Sequence, residues 1–208
     1  LLFEATKRQI TYQEQKTYFD VLRLTVDDKY SWDFAMLGVG LRYINGVGKP
    51  DMLHYVESFG MEGHYDFASN RGYIWSRTFP LLKRALLLGV GRDNFAYAFP
   101  NDDYVGKVNC GFNEQIVTKP HNMYLQIWVQ DGLPALLAFL ALYLLLFGRT
   151  IRKCFKKGKW NHSQKISLAF LCGVSGYFVA GLANDSSICV APVFWVLFGV
   201  TFAVLRSE

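Results

Sequence analysis

Residues 132–148 read GLPALLAFLALYLLLFG, seventeen positions without a charge. Two more uncharged runs follow, 166–183 (ISLAFLCGVSGYFVAGLA) and 188–205 (ICVAPVFWVLFGVTFAVL). At ~1.5 Å rise per residue, 18 helical residues reach about 27 Å, close to the ~30 Å hydrocarbon thickness of a bilayer. A buried helix of a soluble protein usually keeps a polar stripe, and these runs have almost none. The sequence therefore predicts three transmembrane helices.

The charge is distributed around them unevenly. The 208 residues carry a net charge of +5, yet residues 1–131 hold 14 Lys+Arg against 15 Asp+Glu, while residues 132–208 hold 8 against 2. This excludes disorder and collagen-like repeats, and it argues against a uniformly basic nucleic-acid binder. Residues 149–165 (RTIRKCFKKGKWNHSQK) contain seven Lys/Arg and no acid, which by the positive-inside rule predicts a cytoplasmic loop. Alternation then puts residues 184–187 outside, the tail 206–208 inside, and all of residues 1–131 on the extracytoplasmic side. The expected fold class is an all-α integral membrane protein: a helical extracytoplasmic loop domain followed by three C-terminal transmembrane helices. The chain opens Leu1-Leu2-Phe3-Glu4 without a Met or a basic n-region, so no signal peptide is read here, and further N-terminal spans are expected upstream.

Within the outer segment, residues 3–26 read as an amphipathic helix with Ile10, Phe19, Leu22 and Leu24 among its apolar positions, interrupted at Asp27-Asp28. GVGKP at 46–50 lacks the Lys-Ser/Thr of a phosphate loop, because Pro50 follows Lys49. Residues 71–88 predict a helix bent at Pro80 and capped by Asn70, and residues 91–119 a loop dense in Asn, Asp and Gly. A second helix is expected to begin at Pro120-His121-Asn122, with Thr118 as capping candidate, and to reach Asp131-Gly132. Tyr124 and Trp128 on it suit an interfacial aromatic belt. The four cysteines, Cys110, Cys154, Cys172 and Cys189, form no CxxC pair and no zinc spacing.

His121 is the candidate for chemistry. In the first turn of a helix the positive end of the dipole disfavours imidazolium, leaving a neutral base able to take a proton from a hydroxyl. An interfacial or capping histidine is the alternative. His54, His64 and His162 read as solvated. Arg71, Arg77, Arg84 and Arg92 offer guanidinium forks suited to a lipid-linked diphosphate, with Arg77 and Arg84, seven apart, on one helical face. For each arginine taken singly, a surface ion pair competes with that role. Asp102-Asp103 sits in a loop and reads as a solvated pair, so neither a metal site nor a cofactor is expected.

Two blocks together resemble a known family. Ser69-Asn70-Arg71-Gly72-Tyr73-Ile74-Trp75, followed by Gly89-Val90-Gly91 and Phe95, resembles one conserved stretch of the O-antigen ligase family. Pro120-His121-Asn122-Met123-Tyr124-Leu125-Gln126, with Gly132 and an apolar helix behind it, resembles that family's P-H-N-x-Y-L-Q block. The resemblance covers residues 69–148 and continues over 149–208 by hydropathy alone. It implies a GT-C-like, multi-pass inner-membrane glycosyltransferase that moves a glycan from undecaprenyl diphosphate to an acceptor hydroxyl on the extracytoplasmic side, inverting and metal-independent. It further implies His121 as catalytic base, Arg71, with Arg77 or Arg84, on the donor diphosphate, and Asn122 and Trp75 as supports. Arg92 matches no required position. The acceptor could be a surface glycan, or another lipid-linked repeat as in Wzy-type polymerases. A non-catalytic sensor or transporter fragment is the rival class, disfavoured by uncharged spans.

Overall fold

Residues 2–26 form two strands joined by a turn, not a helix. A computed structural model describes residues 2–26, 30–111, 115–155 and 160–206. Asp27-Asp28, residues 156–159 of the basic stretch and Ser207-Glu208 of the tail lie outside the described residues. In chain order the strands are β1 (Leu2–Tyr12), β2 (Gln15–Val26), β3 (Tyr30–Leu37), β4 (Gly40–Ile44) and β5 (Pro50–Asp51). The helices are α1 (Phe67–Arg84), α2 (Phe95–Ala98), α3 (Tyr104–Asn109), α4 (Met123–Asp131), α5 (Leu133–Cys154), α6 (His162–Ala180) and α7 (Ala191–Arg206). Two units divide them: residues 1–56 with 102–115, and residues 57–101 with 116–208.

The first unit is an antiparallel meander in the order β1-β2-β3-β4-β5. Its pattern has period 2: Ile10 on β1, Val21 on β2, Ala35 on β3 and Ile44 on β4 are buried together, with Phe19 and Leu37 against them. Gln13 and Glu14 take φ of 48° and 64°, the positive values a tight hairpin turn requires, and Leu22 pairs with Phe34 across β2 and β3. The Thr11 N–H donates to the Gly48 carbonyl at 3.0 Å, joining the end of β1 to the β4–β5 turn, so the sheet curls over that apolar row. Asp33 lies on the same face, 5% exposed, and accepts hydrogen bonds from Arg8 and, through two atoms, from Arg23 at 2.7 and 3.0 Å. The Arg23 hydrogen bond, reinforced by Arg8 and only partly opposed by burial, holds the Asp33 carboxyl below the usual carboxylate range.

The expected all-α class is thus corrected. Residues 3–26 are rich in Thr, Tyr, Phe and Val, whose branched or ring side chains pack well on a pleated surface. Phe19 and Leu22, three apart, also fit one face of a helix, but it is Phe19 and Val21, two apart, that face the core together.

The second unit is helical. α1 begins with a left-handed turn at Ala68, Ser69 and Asn70 before running regularly from Arg71, so Asn70 is the last residue before the regular helix. Pro80 cannot donate to the Ser76 carbonyl, and the Phe59 N–H takes that acceptor at 2.9 Å. α5, α6 and α7 pack around Leu146, Leu171, Val174, Phe178, Phe194 and Phe198, with Tyr143 and Phe139 stacked on Phe178 at 3.9 and 4.9 Å.

Three transmembrane helices were expected. Among the described residues only α5, 22 residues long, is long and apolar enough to cross a membrane, and only 17% of its most apolar window is covered by the protein. α7 has 16 residues, and α6 opens on the polar turn His162-Ser163-Gln164-Lys165, capped by Asn161. The uncharged runs had been measured from charge to charge, whereas the helices stop where Gly181 and the 184–187 turn interrupt them.

Asp33→Asn keeps the shape but removes the charge that Arg8 and Arg23 share. Since both arginines are partly solvated, the expected destabilisation is about 1–3 kcal/mol, read from chemical unfolding of the intact protein. A carboxyl whose pKa is lowered on folding stabilises above its unfolded pKa of about 4. That contribution disappears as the pH falls through the lower folded value, so wild type and Asp33→Asn should converge in stability at acid pH.

Candidate functional site

The site is built on the corner that precedes α4. Asn122, with φ −156° and ψ 117°, is the N-cap: its side-chain oxygen accepts from the Tyr124 and Leu125 N–H groups, both at 3.0 Å. The helix therefore starts four residues later than a Thr118 cap would place it. Pro120 and His121 stand outside it, and His121 has φ 51°. A non-glycine residue in this left-handed region is strained and needs support. Trp75 supplies it from α1, donating its indole Nε1–H to the Pro120 carbonyl at 2.8 Å. Asn122 adds a second tie through Nδ2 to the Leu182 carbonyl at 2.9 Å, and the Met123 N–H donates to Gly181 at 2.8 Å.

That docking brings the 184–187 turn under the imidazole. His121 Nδ1 lies 2.9 Å from Asp185 Oδ2, with the histidine side chain 48% exposed and the aspartate 10%. An ionised carboxylate only accepts, so Nδ1 carries the hydrogen between them, and a neutral ring then leaves Nε2 as the open acceptor. The helix-terminus argument for a neutral base at His121 does not apply, because His121 is not in the first turn. The orientation comes from the carboxylate. Asp185 is not among the site residues the sequence predicts, although it is the one acid between residue 132 and Ser207. An isolated carboxylate between two apolar runs was the available signal.

The arginines are separated. Arg71 opens the regular part of α1, one turn before Trp75, and so lies on the helix face that holds the Pro120 corner. Its Nη1 donates to the Ala68 carbonyl at 2.7 Å, while its Nε is buried with no hydrogen-bond partner among the described residues. Gly72 fixes this end: a Cβ there would run into the His64 carbonyl. Arg77 is buried with its guanidinium 4.9 Å from the Tyr65 ring centre and 4.7 Å from that of Tyr73, a cation–π arrangement. Arg84 is exposed in the last turn, thirteen residues or about 20 Å of helix from Arg71. Arg77 and Arg84, seven apart on α1, therefore meet different surroundings, one buried and one exposed. Arg92 pairs with Asp131 at 3.0 Å. Tyr124 is turned inward rather than into an interfacial belt, its hydroxyl donating to the Phe178 carbonyl at 2.6 Å and pushed up in pKa by burial.

Beside the His121–Asp185 pair runs a groove of about 630 Å³. Arg92, Asp131, Gln130 and Gln126 line its polar part, and Phe139, Leu142, Phe194 and Trp195 its apolar part. Ser186, next to Asp185, borders it and is held by the Gln126 side chain, which accepts its N–H at 2.9 Å. The lining thus offers both polar groups and apolar surface. Among the described residues no three His, Cys, Asp or Glu side chains gather where they could hold a metal ion.

A family model described as O-antigen ligase matches residues 30–140, just over half of the chain. No curated protein and no solved structure matches it significantly.

Asn122→Ala removes two capping bonds and the tie to Leu182, with an expected loss of about 1–2 kcal/mol. Asn122→Asp, which keeps the cap but turns a carboxylate oxygen toward the Leu182 carbonyl, should fall between it and wild type in thermal melts of the purified protein.

Proposed function

This chain belongs to the O-antigen ligase family, glycosyltransferase-like ligases of polysaccharide biosynthesis that act on lipid-linked glycans at the inner membrane, and on that premise we propose that it transfers a glycan from undecaprenyl diphosphate to an acceptor hydroxyl on the extracytoplasmic side. The observation that carries the reading is the 2.9 Å pairing of His121 Nδ1 with Asp185, which leaves Nε2 of a half-exposed imidazole as a directed base. Histidine oriented by a carboxylate is a recurrent solution for deprotonating a hydroxyl, because the carboxylate fixes the tautomer and stabilises the imidazolium that forms.

In the proposed reaction the acceptor hydroxyl gives its proton to His121 Nε2 as its oxygen attacks the anomeric carbon. The bond from that carbon to the diphosphate oxygen breaks on the opposite face, so the configuration inverts and undecaprenyl diphosphate leaves with the bonding pair. Arg71, whose buried Nε–H has no partner among the described residues, offsets the charge that develops on the diphosphate. Trp75 and Asn122 act on His121 through the backbone of its corner. The apolar part of the groove takes the first isoprene units of the carrier. The basic last turn of α5, with Arg152 and Lys153, favours the cytoplasmic side for that end and the opposite side for the site.

His121→Ala should lower glycan transfer by about 10²–10⁴-fold, and Asp185→Asn by about 10–100-fold, with the folded protein still present in the membrane. Arg71→Lys keeps the charge but loses the two-pronged contact, and should cost about tenfold or more. Each is measured as transfer from purified lipid-linked donor. Near wild-type transfer by His121→Ala would remove the base from the mechanism.

A further inference from the structure

Leu86, Leu87 and Leu88 follow α1 with 48%, 69% and 88% of their surface exposed. Three consecutive leucines held outward are unfavourable in water and mark a contact surface. Their backbone is not free to turn them in. The Leu86 carbonyl accepts the Leu133 N–H at 3.1 Å, satisfying a donor at the first residue of α5. The Leu87 carbonyl lies so close to Gly132 that any Cβ there would strike it. Beyond the leucines, the N–H groups of Val90 and Gly91 donate to the Val129 and Gln130 carbonyls at 2.8 and 2.9 Å. The segment is thus tied along the α4–α5 junction, with its leucines at the level where the apolar length of α5 begins.

We propose that Leu86–Leu88 is a lipid-inserted finger that dips into the leaflet in which α5 begins, with exposed Lys83 and Arg84 on anionic phospholipid headgroups. Two observations select lipid as the occupant. The finger is hydrogen-bonded to the start of the one described helix able to cross a bilayer, so it is continuous with that helix's lipid-facing surface. The turn before it carries two exposed cations, the complement of an anionic membrane surface. The finger also sets a height: α4 spans only about 14 Å between this junction and Asn122, so inserting the leucines holds His121 close above the headgroups. This assigns Arg84 to headgroups, and it does not depend on the glycan chemistry of the site.

The test places a nitroxide at Leu87→Cys, and separately at Leu88→Cys, in the intact protein with its four native cysteines replaced, reconstituted in phosphatidylglycerol-containing vesicles. Collision rates with oxygen and with a water-soluble nickel chelate give the depth. The expected result is a label about 5–10 Å below the phosphates at both sites. In vesicles of phosphatidylcholine alone the label should become shallower, and Lys83→Gln with Arg84→Gln should abolish that dependence on lipid charge. A label open to the nickel chelate would mean a water-exposed finger. A label closed to both reagents would mean that another protein segment or a second copy covers the leucines. Either result overturns the proposal, and a depth indifferent to lipid charge overturns the role of the cations. Because depth is read without turnover, a failed glycan assay leaves this result standing.

Discussion

The corner at Pro120–Asn122 is where backbone strain, helix capping and side-chain chemistry meet. His121 keeps a left-handed φ because the residue before it is held by Trp75 and the residue after it is committed to capping α4. The same Asn122 that satisfies two orphan N–H groups also reaches the Leu182 carbonyl, and Met123 closes the docking onto Gly181. A side chain at Gly181 would collide with Met123, so the close approach requires a glycine there. Once these contacts form, the turn after α6 can go only where Asp185 faces His121. The dyad is a product of the docking rather than of either segment alone.

Polar groups in this unit are arranged by what they must avoid as much as by what they bind. Arg77 cannot reach water freely and is accommodated by the faces of Tyr65 and Tyr73, whose quadrupoles accept a cation. Arg71, by contrast, keeps one donor unpaired in a buried position, which is unfavourable unless an acceptor arrives. The two arginines lie six residues apart on one helix, yet one is fully accommodated by its neighbours and the other is not.

The strand unit is organised by a different constraint. A curled five-stranded sheet buries a short apolar row, and a buried carboxylate at its margin must find partners or lose more than it contributes. Arg8 and Arg23 reach Asp33 from β1 and β2, so one charge cluster fixes the register of three strands. In the same unit Tyr104 on α3 donates to Asp51 on β5 at 2.6 Å, and burial, then that hydrogen bond, pushes its phenol up to about 12.

The sequence by itself determined the apolar helix α5, the position of a helix end at Asp131-Gly132, the start of the regular part of α1 at Arg71 and the family. Each rests on local order: an uncharged run long enough for a bilayer, a glycine that ends a helix, a short block of residues in fixed spacing. The strands at 2–26 were not legible as strands, because Phe19 and Leu22, three apart, also fit one face of a helix and only cross-strand pairing decides between them. The number of spans was misread for a related reason, since an uncharged run does not mark where hydrogen bonding stops. Asp185 could be noticed as an isolated acid but not assigned. Its partner is 64 positions away in the chain, and only the packing of α4 against the turn after α6 brings a carboxylate to 2.9 Å from an imidazole. Local pattern specifies elements, and the distance between two side chains belongs to the way those elements dock.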